Sequence, residues 1–176
     1  MATAKPPDPR EADIVKQMAR KLVGDIVELR RLRDAGPPAT FPRFREIRNK
    51  HHEIQGLIVS IADRLPLAGD LVPANFAQWL VRQKLNELAL FTDVSHGFIS
   101  DPPLALTQSL GAFDVLQSER QAFTEVLGYF DQMLMEAGID DKTADELDAT
   151  RTKIEEILGM VETLLEHSPK VLQEFD

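Results

Sequence analysis

Apolar residues recur every three or four positions along nearly the whole chain and nowhere alternate as a half-buried strand requires. That pattern confines the chain to an all-α fold. Asp8-Pro9-Arg10-Glu11 supplies a cap, a first-turn proline and an acidic third position, so a helix begins there. Ala12, Val15, Ala19, Leu22, Ile26 and Leu29 follow with heptad spacing, and Gly36 within the turn 35–40 ends the run. A second helix, from about Pro42 to Arg64, carries Phe44, Ile47, His51, Ile54, Ile58, Ile61 and Leu65 on one stripe; Pro66 to Pro73 reads as a connection. Asn75-Phe-Ala-Gln78 resembles a capping box for a third helix ending near Gly97. This helix is apolar on two sides, with Ala77, Leu80, Val81, Leu85 and Leu88 on one and Phe76, Trp79 and Leu90 on the other. Such a helix lies at the centre of a bundle or at an interface.

Asp101-Pro102-Pro103 begins a further helical stretch that breaks at Gly111 and restarts as a fourth long helix, from about Asp114 to Ala137. Leu116, Phe123, Val126, Phe130 and Met133 are its core positions, and Gly138 closes it. Thr143-Ala-Asp-Glu146 forms a capping box for the fifth, which carries Leu147, Ile154, Ile157, Val161 and Leu164. Ser168-Pro169 then permits a short last helix to about Phe175. Five helices of about 20–25 residues with short connections predict an antiparallel helical bundle with short accessory helices. One domain is expected over residues 8–176, preceded by a flexible tail at 1–7. Aromatic residues make up only 6% of the chain, so a core of Leu, Ile, Val and Ala is expected. Without cysteine there is no disulfide or thiolate chemistry, which fits a reducing compartment. The first residues lack an apolar signal core, and no apolar run reaches the roughly 20 residues a membrane span needs. A cytoplasmic protein that does not enter a membrane is the expectation.

Charge is distributed unevenly. Residues 1–52 hold 12 Lys and Arg against 7 Asp and Glu, a net of +5, whereas residues 53–176 hold 8 against 22, a net of −14. The positive charge gathers at one helix–turn–helix corner: Arg30, Arg31, Arg33, Arg43, Arg45, Arg48 and Lys50. Such a corner either docks an acidic protein surface, self-association included, or pairs with the chain's own carboxylates. Nucleic-acid binding through the same arginines is a third reading, opposed by the acidic remainder of the molecule.

Catalytic patterns are missing. There is no Gly-rich phosphate loop, no G-x-S-x-G elbow and no Glu-x-x-His pair, so neither a cofactor nor a metal is expected. The one nucleophile with a suitable setting is His52. It is turned about 100° from the stripe residue His51 and shares a flank with Arg45 and Arg48 at i, i+3 and i+7. A neutral imidazole beside guanidinium groups suits phosphoryl transfer. His52-Glu53-Ile54, continued by Ile58 and Ile61, resembles the phospho-accepting box of histidine-kinase dimerisation helices over some ten residues. It departs from that pattern at Gly56, where the family has a polar residue before a proline. The resemblance implies at most a phosphotransfer module, since no ATP-binding domain follows. A non-enzymatic protein-interaction module is the leading expectation, with the basic corner, the acidic fifth helix, and Phe76, Trp79 and Leu90 as candidate contacts.

Overall fold

The computed structural model describes residues 6–104, 107, 111–137 and 141–168. It is an all-α bundle of five long helices: α1 (Pro9–Asp34), α2 (Phe41–Ala68), α3 (Phe76–Ser100), α4 (Ala112–Ala137) and α5 (Asp141–His167). A single 3₁₀ turn, Gly69–Leu71, follows α2. The proposed closure at Gly138, the last helix beyond Ser168, most of the tail and residues 105, 106 and 108–110 of the 101–111 connection lie outside the described residues.

The heptad stripes point inward as their spacing requires. Val15, Leu22, Leu29, Ile54, Ile61, Leu116, Ile154, Ile157 and Val161 are all sealed from solvent. Cross-helix ion pairs fix the directions. Glu11–Arg64 at 2.6 Å and Asp25–Lys50 at 3.6 Å have equal summed residue numbers, so α1 and α2 keep one antiparallel register along their length. Asp93 meets both Arg33 and Lys153, and His96 meets Glu156, each pair 60 residues apart. The equal offsets of Asp93–Lys153 and His96–Glu156 make α3 and α5 parallel, and the equal sums of Phe44–Phe98 and His51–Phe91 make α2 and α3 antiparallel, so α1, α3 and α5 run one way and α2 the other. α3 packs against all four others, with the α1–α2 hairpin on one side and the α4–α5 hairpin on the other. Its two apolar faces are explained by this central place.

Three boundaries differ from the sequence expectation. α2 does not stop before Pro66 but continues to Ala68, which is fully buried. The last turn is held from outside: the Asp8 N–H donates to the Leu67 carbonyl at 3.0 Å, and Pro7 rests on Gly69. Gly69 has φ 55°, and a Cβ there would lie 2.9 Å from Pro7 Cγ, so both conformation and contact call for glycine. Pro7, assigned to the tail by sequence, is therefore packed at this end of the bundle. α3 likewise passes through Gly97, where a Cβ would come within 3.0 Å of Pro37 Cβ. That glycine serves a close approach of the α1–α2 turn and does not end the helix. Asn75 makes no side-chain cap bond, and α5 begins at Asp141, ahead of Thr143.

The core is also more aromatic than the composition suggests. Phe44 stacks on Phe98 at 4.3 Å and lies 6.4 Å from Phe91, which lies 6.0 Å from Phe123. Few aromatic residues are present, but they converge where α2, α3 and α4 meet.

Candidate functional site

The basic corner is largely neutralised by the chain itself. Arg31 grips Glu28 at 2.7 Å, Arg43 pairs with Glu46 at 2.8 Å, and Lys50 with Glu53 at 2.6 Å as well as with Asp25. Hydrogen bonding to Glu53 raises the Lys50 pKa, against the opposing effect of burial. Arg33 bonds Asp34 at 2.7 Å and Asp93 at 3.5 Å. Arg48 turns away from the flank it was expected to share with His52 and reaches α4, where it meets Glu119 at 2.9 Å and donates to Ser118 at 3.3 Å. Only Arg30 and Arg45 of the seven are exposed with no carboxylate partner among the described residues.

Two buried carboxylates, which the sequence reading did not single out, form the most unusual feature of the core. Glu87 of α3 is 0% exposed; its Oε1 lies 2.5 Å from His51 Nδ1, and its Oε2 accepts from Gln55. The His51 ring is itself stacked on Phe91 at 4.0 Å. Glu119 of α4 is 2% exposed, and its contact with Arg48 is not an aligned hydrogen bond, leaving Oε1 without a donor. Burial accordingly pushes the Glu119 carboxyl above its ordinary range, with Arg48 and then His51 pulling the other way. The hydroxyls of Thr92 and Ser95 are sealed in the core without a hydrogen-bond partner. The sequence did carry a signal for both acids. Glu87 stands at the heptad position of Leu80 and Val94, and Glu119 at that of Val126 and Met133. A charged residue interrupting an apolar stripe, opposite a stripe histidine, marks such a cluster.

His52 lies outside this cluster and is exposed. Its pKa is lowered by partial burial first, then by His51 and Arg48, with Glu87 opposing, so the ring is neutral at neutral pH. On α3, Phe76 and Trp79 are half-buried against one another at 4.9 Å. Leu90, placed with them as an outward anchor, is 3% exposed and belongs to the core, because α3 has neighbours on both sides.

Surface grooves lie elsewhere. One of about 350 Å³ between α3 and α5 is lined by Arg82, Leu85, Asn86, Ala89, Glu146 and Leu147, a mixed and open wall without an activated nucleophile. The class the fold defines is thus a five-helix bundle whose apolar core encloses a buried polar cluster and whose outer faces are charged. Comparison with protein-family models, characterised proteins and solved structures finds no match. Among the described residues, no helix is long and apolar enough to cross a membrane.

Proposed function

We propose that the protein is a non-enzymatic interaction module, an adaptor or assembly factor that docks through its charged outer faces. The observation that carries this reading is which charges folding leaves over. Most corner cations are absorbed internally, while Arg30 and Arg45 on the α1–α2 hairpin and Asp145, Asp148, Glu162 and Glu166 on α5 are exposed with no ion pair among the described residues. Outward charge of both signs on separate helices favours association with protein surfaces and steers encounter. Two free arginines are too few for tight phosphate-backbone binding, which weakens the nucleic-acid reading. The test is affinity capture from native lysate, with and without nuclease, by wild type and an Arg30→Glu/Arg45→Glu variant. A protein partner that survives nuclease and is lost with the variant supports the reading; capture unchanged by the reversal removes the corner as a docking surface. Arg48 is left intact in this experiment, because its reversal would place a second carboxylate beside Glu119.

The exposed, neutral imidazole of His52 favours a second reading, phosphotransfer. Its free ring nitrogen would attack the phosphorus of an acyl phosphate, forming an N–P bond as the acyl-oxygen–phosphorus bond breaks and the carboxylate leaves. Intact-mass analysis after incubation with acetyl phosphate tests it. An adduct absent from wild type, or retained in His52→Gln, excludes His52 as the acceptor.

A further inference from the structure

α1 and α5 flank α3 without packing on each other among the described residues, so a furrow runs between them over the outer face of α3. Asp93 marks its middle line, taking Arg33 from one side and Lys153 from the other. Asn86 and Ala89 of the floor are only half-buried, although α3 is the central helix of the bundle. On the α5 side the furrow deepens into the groove of about 350 Å³ walled by Glu146 and Leu147. The other rim belongs to α1. At about 100° per residue, Val23 stands about 160° round the helix from Asp25, which reaches α2, and about 80° from Arg33, which reaches α3. Its flank is therefore turned away from α2 and borders the furrow. Lys16, Val23 and Arg30 share that flank at seven-residue spacing, with Arg20 and Val27 beside them. Val23 and Val27 are 45% and 57% exposed, where the outer face of a bundle helix ordinarily carries polar residues. The contacts Arg33–Asp93 and Pro37–Gly97 share one offset, which brings both valines alongside the stretch of α3 that floors the groove.

From this arrangement we infer that the furrow receives an amphipathic helix of another protein, apolar on its inner face, acidic on the flank along α1 and basic on the flank along α5. This names the class of partner for the interaction reading above and rests on it. Two parallel helices with a third beneath them form a trough that suits a helix, which would cover Val23, Val27 and Ala89 with its apolar face. The rim from Lys16 to Arg30 is about 21 Å long, so the guest needs about four turns. Charge assigns its flanks. Arg20 and Arg30 stand on the α1 rim with no ion-pair partner among the described residues. Glu146 and Glu156 are exposed on the opposite rim, held to the α3 side of α5 by the groove wall and by the bond to His96. A second copy of this chain has no such helix to give, because the apolar stripes of all five helices already face its own core.

A phage-displayed library of four-turn helices tests the inference, with a fixed leucine stripe and Glu, Gln or Lys allowed at every flanking position. Selection on the wild-type protein is expected to enrich clones with Glu along one flank and Lys along the other. Made as peptides, these are expected to bind Val23→Ser/Val27→Ser about ten-fold more weakly or worse. Arg20→Gln/Arg30→Gln is expected to lose the preference for Glu over Gln on the acidic flank. All four positions are exposed, so neither variant empties the core, and circular dichroism confirms that both remain helical. Val59→Ser, at an equally exposed valine on the outer face of α2, is expected to bind as wild type does. No enrichment, clones without an acidic flank, or binding that survives Val23→Ser/Val27→Ser overturns the inference. So does a wild type that dimerises through the same valines in sedimentation, since a second copy then fills the furrow. Lysate capture that is lost on Arg30→Glu/Arg45→Glu but kept by Val23→Ser/Val27→Ser leaves the interaction reading standing and removes only the furrow.

Discussion

Replacing Arg48 by Met keeps the aliphatic stem and removes the guanidinium that faces Glu119. The carboxyl stays behind at 2% exposure with no other cation in contact among the described residues, so it takes up a proton in preference to a bare charge in the core. Holding a carboxyl neutral costs about 1.4 kcal/mol for each pH unit above its unfolded value. With that value at 4.5, the ceiling is about 4 kcal/mol at pH 7.5 and about 0.7 kcal/mol at pH 5. Wild type already bears part of this, because burial raises the Glu119 pKa even beside Arg48. The expected difference at pH 7.5 is therefore about 2–3 kcal/mol, a little below the usual cost of breaking a buried pair.

The pH dependence has a definite sign. A raised carboxyl pKa means that the folded state holds the proton more tightly than the unfolded one. Stability from this group is complete below about 4.5 and is lost as pH rises through the folded value. Wild type stops losing once its own Glu119 has ionised; the variant, with a higher folded value, continues. Urea melts followed by Trp79 fluorescence at pH 5 and pH 7.5 measure the difference directly. Arg48→Met/Glu119→Gln is expected to recover most of the deficit. A variant within about 0.5 kcal/mol of wild type at pH 7.5, or one with an equal deficit at both pH values, would refute the claim that Arg48 matters by neutralising Glu119.

Asp93→Asn removes the acceptor shared by Arg33 and Lys153, but the three side chains are 30–41% exposed. It is expected to cost about 1 kcal/mol or less in low-salt melts and less still in high salt. Gly128→Ala, on a helix face where a Cβ meets nothing, is expected to stabilise by about 0.5–1 kcal/mol. Gly97→Ala is expected to forgo that gain, because its Cβ would press on Pro37; an equal gain at both positions in thermal melts would show that the close approach at Gly97 carries no weight.

Periodicity made the helices legible because burial in a bundle is a local property of each stripe. Phe44 to Ile61 could be placed inward from spacing alone, and so could Leu116 to Met133. What the spacing could not convey is which stripe faces which. The stacking of Phe91 on His51 and the reach of Arg48 to Glu119 join residues 40 or more positions apart, and nothing local announces those pairings. The same limit explains the basic corner. Arg31, Arg43 and Lys50 each lie one helical turn from an acidic residue, so their neutralisation was readable in principle. The partners of Arg33 and Arg48 across the bundle were not. Pro66 and Gly97 misled for a related reason: both are breakers by local rule, and both are overridden by contacts from a distant turn of chain.

Five apolar stripes of similar length can pair in many ways, and an apolar core alone would distinguish those pairings poorly. The buried polar groups supply the distinction. His51 and Gln55 find their acceptors only if α2 lies against α3 in one register, and Arg48 meets Glu119 only if α4 occupies the other side. Any slip leaves a carboxylate buried without a partner, which costs more than the pair contributes when correctly made. On this argument the polar cluster limits stability and confers uniqueness. His51→Leu/Glu87→Leu removes the pair and its desolvation together, so the denaturation midpoint is expected to stay level or rise. Uniqueness is expected to suffer: amide resonances of α2 and α3 should broaden or double, and higher oligomers should appear as apolar stripes exchange partners. A double variant that is as stable as wild type and gives one sharp set of resonances would show that Phe44, Phe91 and Phe98 define the register by shape alone.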